Sequence, residues 1–513
     1  MRTPASLSLP FSLLGLACVS EHGPLTNRMA QSATAYLARA ARQPVSWQPW
    51  GREAFALAAR LDRPILLYVG ADDCRSCAVM DREVYGDPTL GALIDSLFVP
   101  IRLDRDERPD VAGRYETAVR LLAGLRGYPI TVFLTPDGAA FFGGTYFPLD
   151  DPLTGRGLKQ LLPEVAKSYR EQRASIVQRG ALVRQLSLGR AGLPHGVLKP
   201  GAIQREIDAV RAGLQAAVRT GGGLGGFLQA QAAGLLLATY ARTGDSSYLG
   251  PARAVLDYMV DSAEAALAES ARDDPPGLVR AALLRDLAAA WAVSGDPRYR
   301  DEARDLVRRL ASGIAGIGDR TVFADREAYV LGAILDAAPA VGESTAAARA
   351  RAALDTLLKR AYARGRGVRH VARGGAGGPV RALLQDQVQV AGACLAAYGG
   401  SGDERYLAVA RDLAAVVEQE FADSGAGGYF DGAATDASAP ALAERAKPVL
   451  DDLLPGANAW AARVLLRLAD ATGDARYRRL AEATLEAFAG AVAGEEMRAS
   501  TYLAVAQDAL APR

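Results

Sequence analysis

The chain has 513 residues, half of them hydrophobic, and 59 basic against 58 acidic side chains leave a formal net charge of +1. That length implies two or more domains with room for an ample core, and the near-neutral balance gives no support for polyanion binding, so no nucleic-acid partner is expected. Four cysteines in a chain of this length exclude a disulfide-stapled scaffold.

The first 26 residues stand apart. Arg2, a mildly apolar run from Leu7 to Ala17, and then Cys18 follow the order of an export signal that ends in a lipid-attachment cysteine. Ala17 suits the position before that cysteine, whereas Pro10 and Gly15 suit the signal poorly. Two readings stay open: a lipoprotein of the cell envelope held to a membrane through a lipidated Cys18, or a cytoplasmic protein with an extension. No segment reaches the ~20 apolar residues that a membrane-spanning helix needs.

Pro64-Ile65-Leu66-Leu67-Tyr68-Val69 reads as a buried strand, and four residues later comes Cys74-Arg75-Ser76-Cys77. Val79, Met80, Glu83 and Val84 then carry helical spacing. A strand that delivers a C-x-x-C to a helix N-terminus is the thioredoxin arrangement. The helix end favours a thiolate on Cys74, the nucleophile, and Cys77 is placed one turn on to resolve it. A zinc site would need further ligands, and none of His22, His195 or His370 is near in sequence, so no metal or other cofactor is expected. Asp72 and Asp73 oppose a thiolate, Arg75 partly offsets them, and a redox-inactive thioredoxin fold therefore stays open beside the active one.

Leu97 to Leu103 reads as a second strand and Thr131 to Thr135 as a third. A Pro136-Asp137-Gly138 turn then leads into a returning strand, Ala140 to Gly144. Pro129, just ahead of the third strand, is placed to be a cis-proline facing the C-x-x-C; a trans turn proline is the alternative.

Longer motifs tie these elements together. They are Asn27-Arg28-Met29-Ala30, Pro44-Val45-Ser46-Trp47-Gln48-Pro49-Trp50, Asp104-Arg105-Asp106-Glu107-Arg108-Pro109-Asp110, Gly127-Tyr128-Pro129-Ile130 and Phe142-Gly143-Gly144-Thr145-Tyr146-Phe147-Pro148. In them the chain resembles the spermatogenesis-associated, or YyaL-type, thioredoxin-domain family, in which a helical toroid follows the thioredoxin-like domain. The family usually carries Cys-His-Trp-Cys-His; Arg75, Ser76 and Ala78 replace the aromatic and both histidines here. The resemblance implies a thiol pair with altered tuning and without metal ligands.

Beyond about residue 195, long Ala/Leu/Arg segments with a 3.6-residue period take over. A short motif repeats: Gly244-Asp245-Ser246-Ser247-Tyr248, Gly295-Asp296-Pro297-Arg298-Tyr299, Gly402-Asp403-Glu404-Arg405-Tyr406 and Gly473-Asp474-Ala475-Arg476-Tyr477. The glycine ends one helix in the left-handed conformation, the aspartate caps the next, and the tyrosine packs between the two. About 310 residues of such hairpins suit an (α/α) toroid better than an open solenoid. The predicted fold is thus an α/β thioredoxin-like domain over residues 27–190 and an all-α toroid of six-hairpin-glycosidase type over 195–513. The latter is also what the resemblance implies.

Several toroid segments match the family: Leu384-Gln385-Asp386-Gln387, Gly427-Gly428-Tyr429-Phe430, and Arg445-x-Lys447-x-x-x-Asp451 with Pro455 and Asn458. Gly221 to Phe227 matches less well, and Gly374 to Gly378 is glycine-rich. Asp386, Arg445, Lys447, Asp451 and Asn458 are expected at one mouth of the ring, where mixed polar groups suit a carbohydrate ligand. Asp386 and Asp451, with Asp325 and Glu327, are the acid/base candidates, and helix caps or salt bridges are the alternative for each. His370 has no second histidine, against a two-histidine epimerase mechanism. Cys394, Trp291 and Trp460 read as core. The expected function is thiol–disulfide exchange with protein thiols or disulfides. A sugar-binding toroid with an inactive thioredoxin-like domain is the alternative, and a binding protein without chemistry in either domain is a further one.

Overall fold

The computed structural model describes residues 25–151, 156–188, 196–220, 226–261, 276–314, 321–372, 383–433 and 440–511. Cys18, His22, His195, Gly221–Gly225 and Gly374–Gly378, all singled out above, lie outside the described residues. Among the described residues no helix is long and apolar enough to cross a membrane.

Five strands form the N-terminal sheet: β1 (Gln48–Pro49), β2 (Ile65–Gly70), β3 (Val99–Asp104), β4 (Ile130–Leu134) and β5 (Ala140–Gly144), in the order β1-β3-β2-β4-β5. β3 runs parallel to β1 and β2, and β4 runs antiparallel to β2 and β5. β2, β3 and β4 are buried along their whole length, as sheets covered on both faces require. One face packs on helices Arg52–Leu61 and Pro109–Ala123 around Phe55, Ile101, Tyr115 and Val132. The other packs on Trp47, Tyr68, Met80, Tyr85 and Phe98, beneath helices Arg75–Glu83 and Pro88–Leu97. The register sets Gly70, the last residue before the loop to the C-x-x-C, opposite Asp104.

Among the described residues the C-terminal part is a ring of six helix pairs. The inner helices are Phe227–Thr243, Pro276–Ser294, Ala324–Ala337, Leu384–Ser401, Ala457–Thr472 and Ser500–Leu510, and each adjoins the next. Helix Ser500–Leu510 closes the circle against Phe227–Thr243, through Arg242 to Asp508 at 2.8 Å and Thr239 to Gln507 at 3.2 Å. The outer layer is Pro200–Thr220, Ser246–Asp261, Pro297–Gly313, Ser344–Ala361, Glu404–Glu420 and Ala475–Glu486.

The repeated Gly-Asp motifs turn inner helices into outer ones. Gly244, Gly295, Gly402 and Gly473 have φ between 66° and 71°, which L side chains tolerate poorly. The aspartates accept from the backbone N–H two residues on, at 2.8–3.0 Å. Tyr248, Tyr299 and Tyr406 are buried in the ring core. The Tyr248, Tyr299 and Tyr406 hydroxyls reach Asp208, Asp257 and Asp355 at 2.7, 3.2 and 2.9 Å, each on the preceding outer helix. These three hydroxyls thereby also stitch neighbouring hairpins together.

Candidate functional site

The C-x-x-C stands where strand and helix meet. Cys74 is the N-cap of helix Arg75–Glu83, its Sγ accepts from the Cys77 N–H at 3.1 Å, and the two cysteines form a disulfide. Cys74 is 7% exposed and Cys77 fully buried, so an incoming group meets Cys74 first. Tyr128 packs on the pair, and the Tyr128–Pro129 peptide is cis. The backbone passes tightly beneath: a Cβ at Gly70 would lie 2.0 Å from the Tyr36 hydroxyl and 3.3 Å from Cys77 Sγ.

The two acids before Cys74 are compensated. Asp72 pairs with Arg39, and Asp73 with Arg105 at 2.7 Å. The Arg105 guanidinium lies 5.2 Å from the Tyr128 ring and also binds Asp106 at 2.8 Å. The Arg105 N–H donates to the Gly70 carbonyl at 2.8 Å, which ties this arginine to the strand that carries the motif.

From Asp106 the network passes into the ring. Arg326 reaches the Asp106 carboxylate at 2.6 Å, and His370 Nε2 lies 2.7 Å from the Asp106 carbonyl oxygen. His370 Nδ1 lies 2.8 Å from Asp386, whose carboxylate also accepts the Asp325 N–H at 3.1 Å. Burial alone would lower the His370 pKa, but the Asp386 and Asp325 carboxylates and its two hydrogen bonds raise it well above the usual imidazole range. Burial pushes the Asp386 carboxyl up while His370 pulls it down, and the pair stands as imidazolium and carboxylate. Asp325, His370 and Asp386 bring potential metal ligands within 4.8 Å of one another. In the structure His370 Nδ1 is engaged by Asp386 and Nε2 by the Asp106 carbonyl. A second contact joins the domains farther out, where Arg114 binds the Ala441 carbonyl at 2.8 Å and Glu444 at 2.9 Å, and Arg184 binds Glu444 from the other side.

Each of the five toroid candidates has partners within the protein. Besides its bonds to His370 and Asp325, Asp386 accepts its own cap N–H, Leu383, at 3.3 Å. Asp451 is fully buried and accepts the Gly456 and Thr501 N–H groups, both at 2.9 Å. Asn458 donates to the Tyr429 and Pro448 carbonyls at 2.9 Å and accepts the Tyr429 N–H at 2.7 Å. Lys447 pairs with Asp423 at 2.5 Å and donates to the Gly427 carbonyl at 2.7 Å. Arg445 lies 3.9 Å from the Phe430 ring. Among the described residues these contacts are loop ties, caps and side-chain pairs, and no hydrogen bond or ion pair joins Asp386 to Asp451. Asp386, through His370, takes part in the contact with the thioredoxin-like domain, and Asp325 adjoins it through its N–H to Asp386.

Sequence reasoning missed Arg105, Asp106, Arg326 and His370 as a group. Arg105 and Asp106 lie in the Asp104–Asp110 motif, the one available signal; Arg326 and His370 carried none. Cys394 is fully buried, as expected, and Trp460 is 5% exposed, whereas Trp291 is only partly buried.

Known proteins resemble the chain in two parts. Residues 26–187 match the family model Thioredox_DsbH, described as "Protein of unknown function, DUF255". Spermatogenesis-associated protein 20 of Homo sapiens is 35% identical over 170 residues, 33% of this chain and 22% of the human protein, and that of Rattus norvegicus matches equally. The match thus spans about a fifth of the curated relatives' length. In fold, the chain is similar to an unsaturated glucuronyl hydrolase specific for heparin (TM-score 0.46, 14% identity, 61% of this chain and 97% of that one). It is also similar to an unsaturated glucuronyl hydrolase from Bacillus sp. GL1 (TM-score 0.44, 16% identity, 56% and 83%). The resemblance to the spermatogenesis-associated family read from the motifs holds, and the architecture is a thioredoxin-like domain joined to an α/α toroid.

Proposed function

We propose that this chain, whose first third matches the DUF255 model, is a thiol–disulfide oxidoreductase acting on protein thiols or disulfides through Cys74 and Cys77. One observation carries the reading: the two sulfurs are bonded at a helix N-terminus with Cys74 outermost, and both neighbouring acids are held by arginines. Helix end and compensated acids together favour a Cys74 thiolate.

In the reduced protein the Cys74 thiolate attacks one sulfur of a substrate disulfide. The substrate S–S bond breaks, a mixed disulfide forms, and the other substrate sulfur leaves as a thiolate. The Cys77 thiolate then attacks Cys74 Sγ, expelling the second substrate thiolate and closing the Cys74–Cys77 bond. Two electrons have passed to the substrate, and a dithiol reductant restores the pair. Run in reverse, the same steps oxidise a dithiol protein, and the surrounding redox poise sets the direction.

The test is alkylation of the reduced protein at neutral pH together with insulin reduction. Cys74 should label before Cys77, Cys74→Ser should abolish insulin reduction, and Cys77→Ser should trap mixed disulfides. Equally slow labelling of both thiols, at the rate of a thiol with pKa about 8.5, would sink the proposal in favour of an inactive thioredoxin fold.

A further inference from the structure

The lumen of the helical ring holds polar groups that the ring itself leaves unused. The Arg285 guanidinium lies 4.4 Å from the Tyr329 ring and 5.4 Å from the Trp460 ring, and Arg463 lies 5.1 Å from Trp460 on the same helix. The Tyr329 and Trp460 rings are 5.9 Å apart. Helix Ala457–Thr472 is not a ring neighbour of Pro276–Ser294 or Ala324–Ala337, so these contacts span the lumen.

Here Arg285 Nη1, Trp460 Nε1 and both ends of the Gln389 amide are buried without a hydrogen-bond partner. Gln389 is 1% exposed. It precedes Gly392 by one turn, and Gly392 is what admits the indole: a Cβ there would stand 2.9 Å from Trp460 Nε1. Amide and indole N–H therefore share one wall. A buried polar group left unpaired costs roughly 1–3 kcal/mol, and native proteins keep few of them. A set gathered round one lumen marks a place built to be filled.

Charge says by what. Asp336 is shared between Arg285 and Arg467, at 3.6 and 3.4 Å, while Arg463 makes no ion pair or hydrogen bond among the described residues. Burial, with the neighbouring Arg285 and Arg467, holds the Arg463 pKa below its ordinary range, while the Asp508 carboxylate pulls it up without forming an ion pair with it. Accessibility rises along this helix face, from Trp460 through half-buried Arg463 to the Arg467 side chain at 34%. The lumen thus opens at the C-terminal ends of the inner helices, away from the end that docks the thioredoxin-like domain.

We propose that this lumen binds a small hydroxylated carboxylate: Arg463 and Arg285 take the carboxylate, and the Gln389 amide and Trp460 N–H take hydroxyl groups. The site does not depend on the thiol chemistry.

The experiment is thermal denaturation of the full chain with 5 mM D-gluconate, sorbitol or inorganic phosphate as ~equimolar probes, backed by calorimetric titration. Gluconate should raise the melting midpoint by about 2 °C or more, and sorbitol and phosphate by much less. Arg463→Gln should remove the shift. Gln389→Met should raise the midpoint of the free protein, because it deletes an unpaired buried amide, yet weaken gluconate binding by about tenfold. Cys74→Ser should bind gluconate like the unaltered chain. No gluconate shift, an equal shift with phosphate, or a shift that survives both Arg463→Gln and Gln389→Met overturns the proposal. Should Arg463→Gln fail to fold, Gln389→Met decides alone.

Discussion

His370 Nε2 lies 2.7 Å from the Asp106 carbonyl oxygen, so a single imidazole on the helical ring holds the thioredoxin-like domain by its backbone. A carbonyl can only accept, so Nε2 carries a proton. With Nδ1 against Asp386 at 2.8 Å, the ring carries both.

This makes alkaline pH a probe of the domain contact. An unfolded histidine titrates near pH 6.5, and burial, which would lower it further, is overridden by Asp386 and Asp325, which raise folded His370 to about 10. The folded state keeps a proton that the unfolded state has lost between those values. The stabilisation is complete below about 6.5, declines above it, and is gone past about 10. The melting temperature should fall across that window, and His370→Gln should flatten the fall. His370→Leu, which leaves Asp386 buried and uncompensated, should cost about 3–5 kcal/mol at pH 7 by urea denaturation.

Arg105 holds Asp73 beside the nucleophile. Arg105→Gln should free that carboxylate and slow iodoacetamide labelling of reduced Cys74 at pH 7 by about tenfold, equivalent to roughly one unit in thiol pKa. An unchanged labelling rate would show that Asp73 does not reach the sulfur electrostatically.

Asp451→Asn should behave as a lesion of the fold. Its two oxygens accept backbone N–H groups from Gly456 and Thr501, and an amide would set its NH2 against one of those donors. A loss of about 1–3 kcal/mol is expected in chemical denaturation. A melting curve like that of the unaltered chain would return Asp451 to the list of ligand-binding candidates.

Cys394 should stay silent to thiol reagents. It is fully buried in helix Leu384–Ser401, and burial pushes its thiol far above the ordinary range. Native protein treated with Ellman's reagent should leave Cys394 unmodified on peptide mapping, and 6 M guanidinium should expose it.

Local pattern explains what the chain showed in advance. The strand before Cys74, the helix after it and the Gly-Asp turns each depend on residues a few positions apart, where periodicity and capping act directly. The carboxylates around the ring mouth were identified, but not their partners. Asp386 meets His370 16 residues away, and His370 meets Asp106 264 residues away. No spacing rule reaches that far. The tyrosines show the same limit at shorter range: their place in the first turn was legible, whereas the aspartate that each hydroxyl finds lies some 40–51 residues back on another helix.

Ring closure also bears on the order of synthesis. Thr239 meets Gln507 across 268 residues of chain, so helix Phe227–Thr243 leaves the ribosome long before the helix that covers its open flank exists. The thioredoxin-like sheet is complete by Gly144 and can collapse early. The first hairpins must wait with apolar faces uncovered while the remaining pairs are made. A nascent chain stalled before Ser500 should therefore recruit holdase chaperones through those hairpins, while its thiol pair is already folded and able to react.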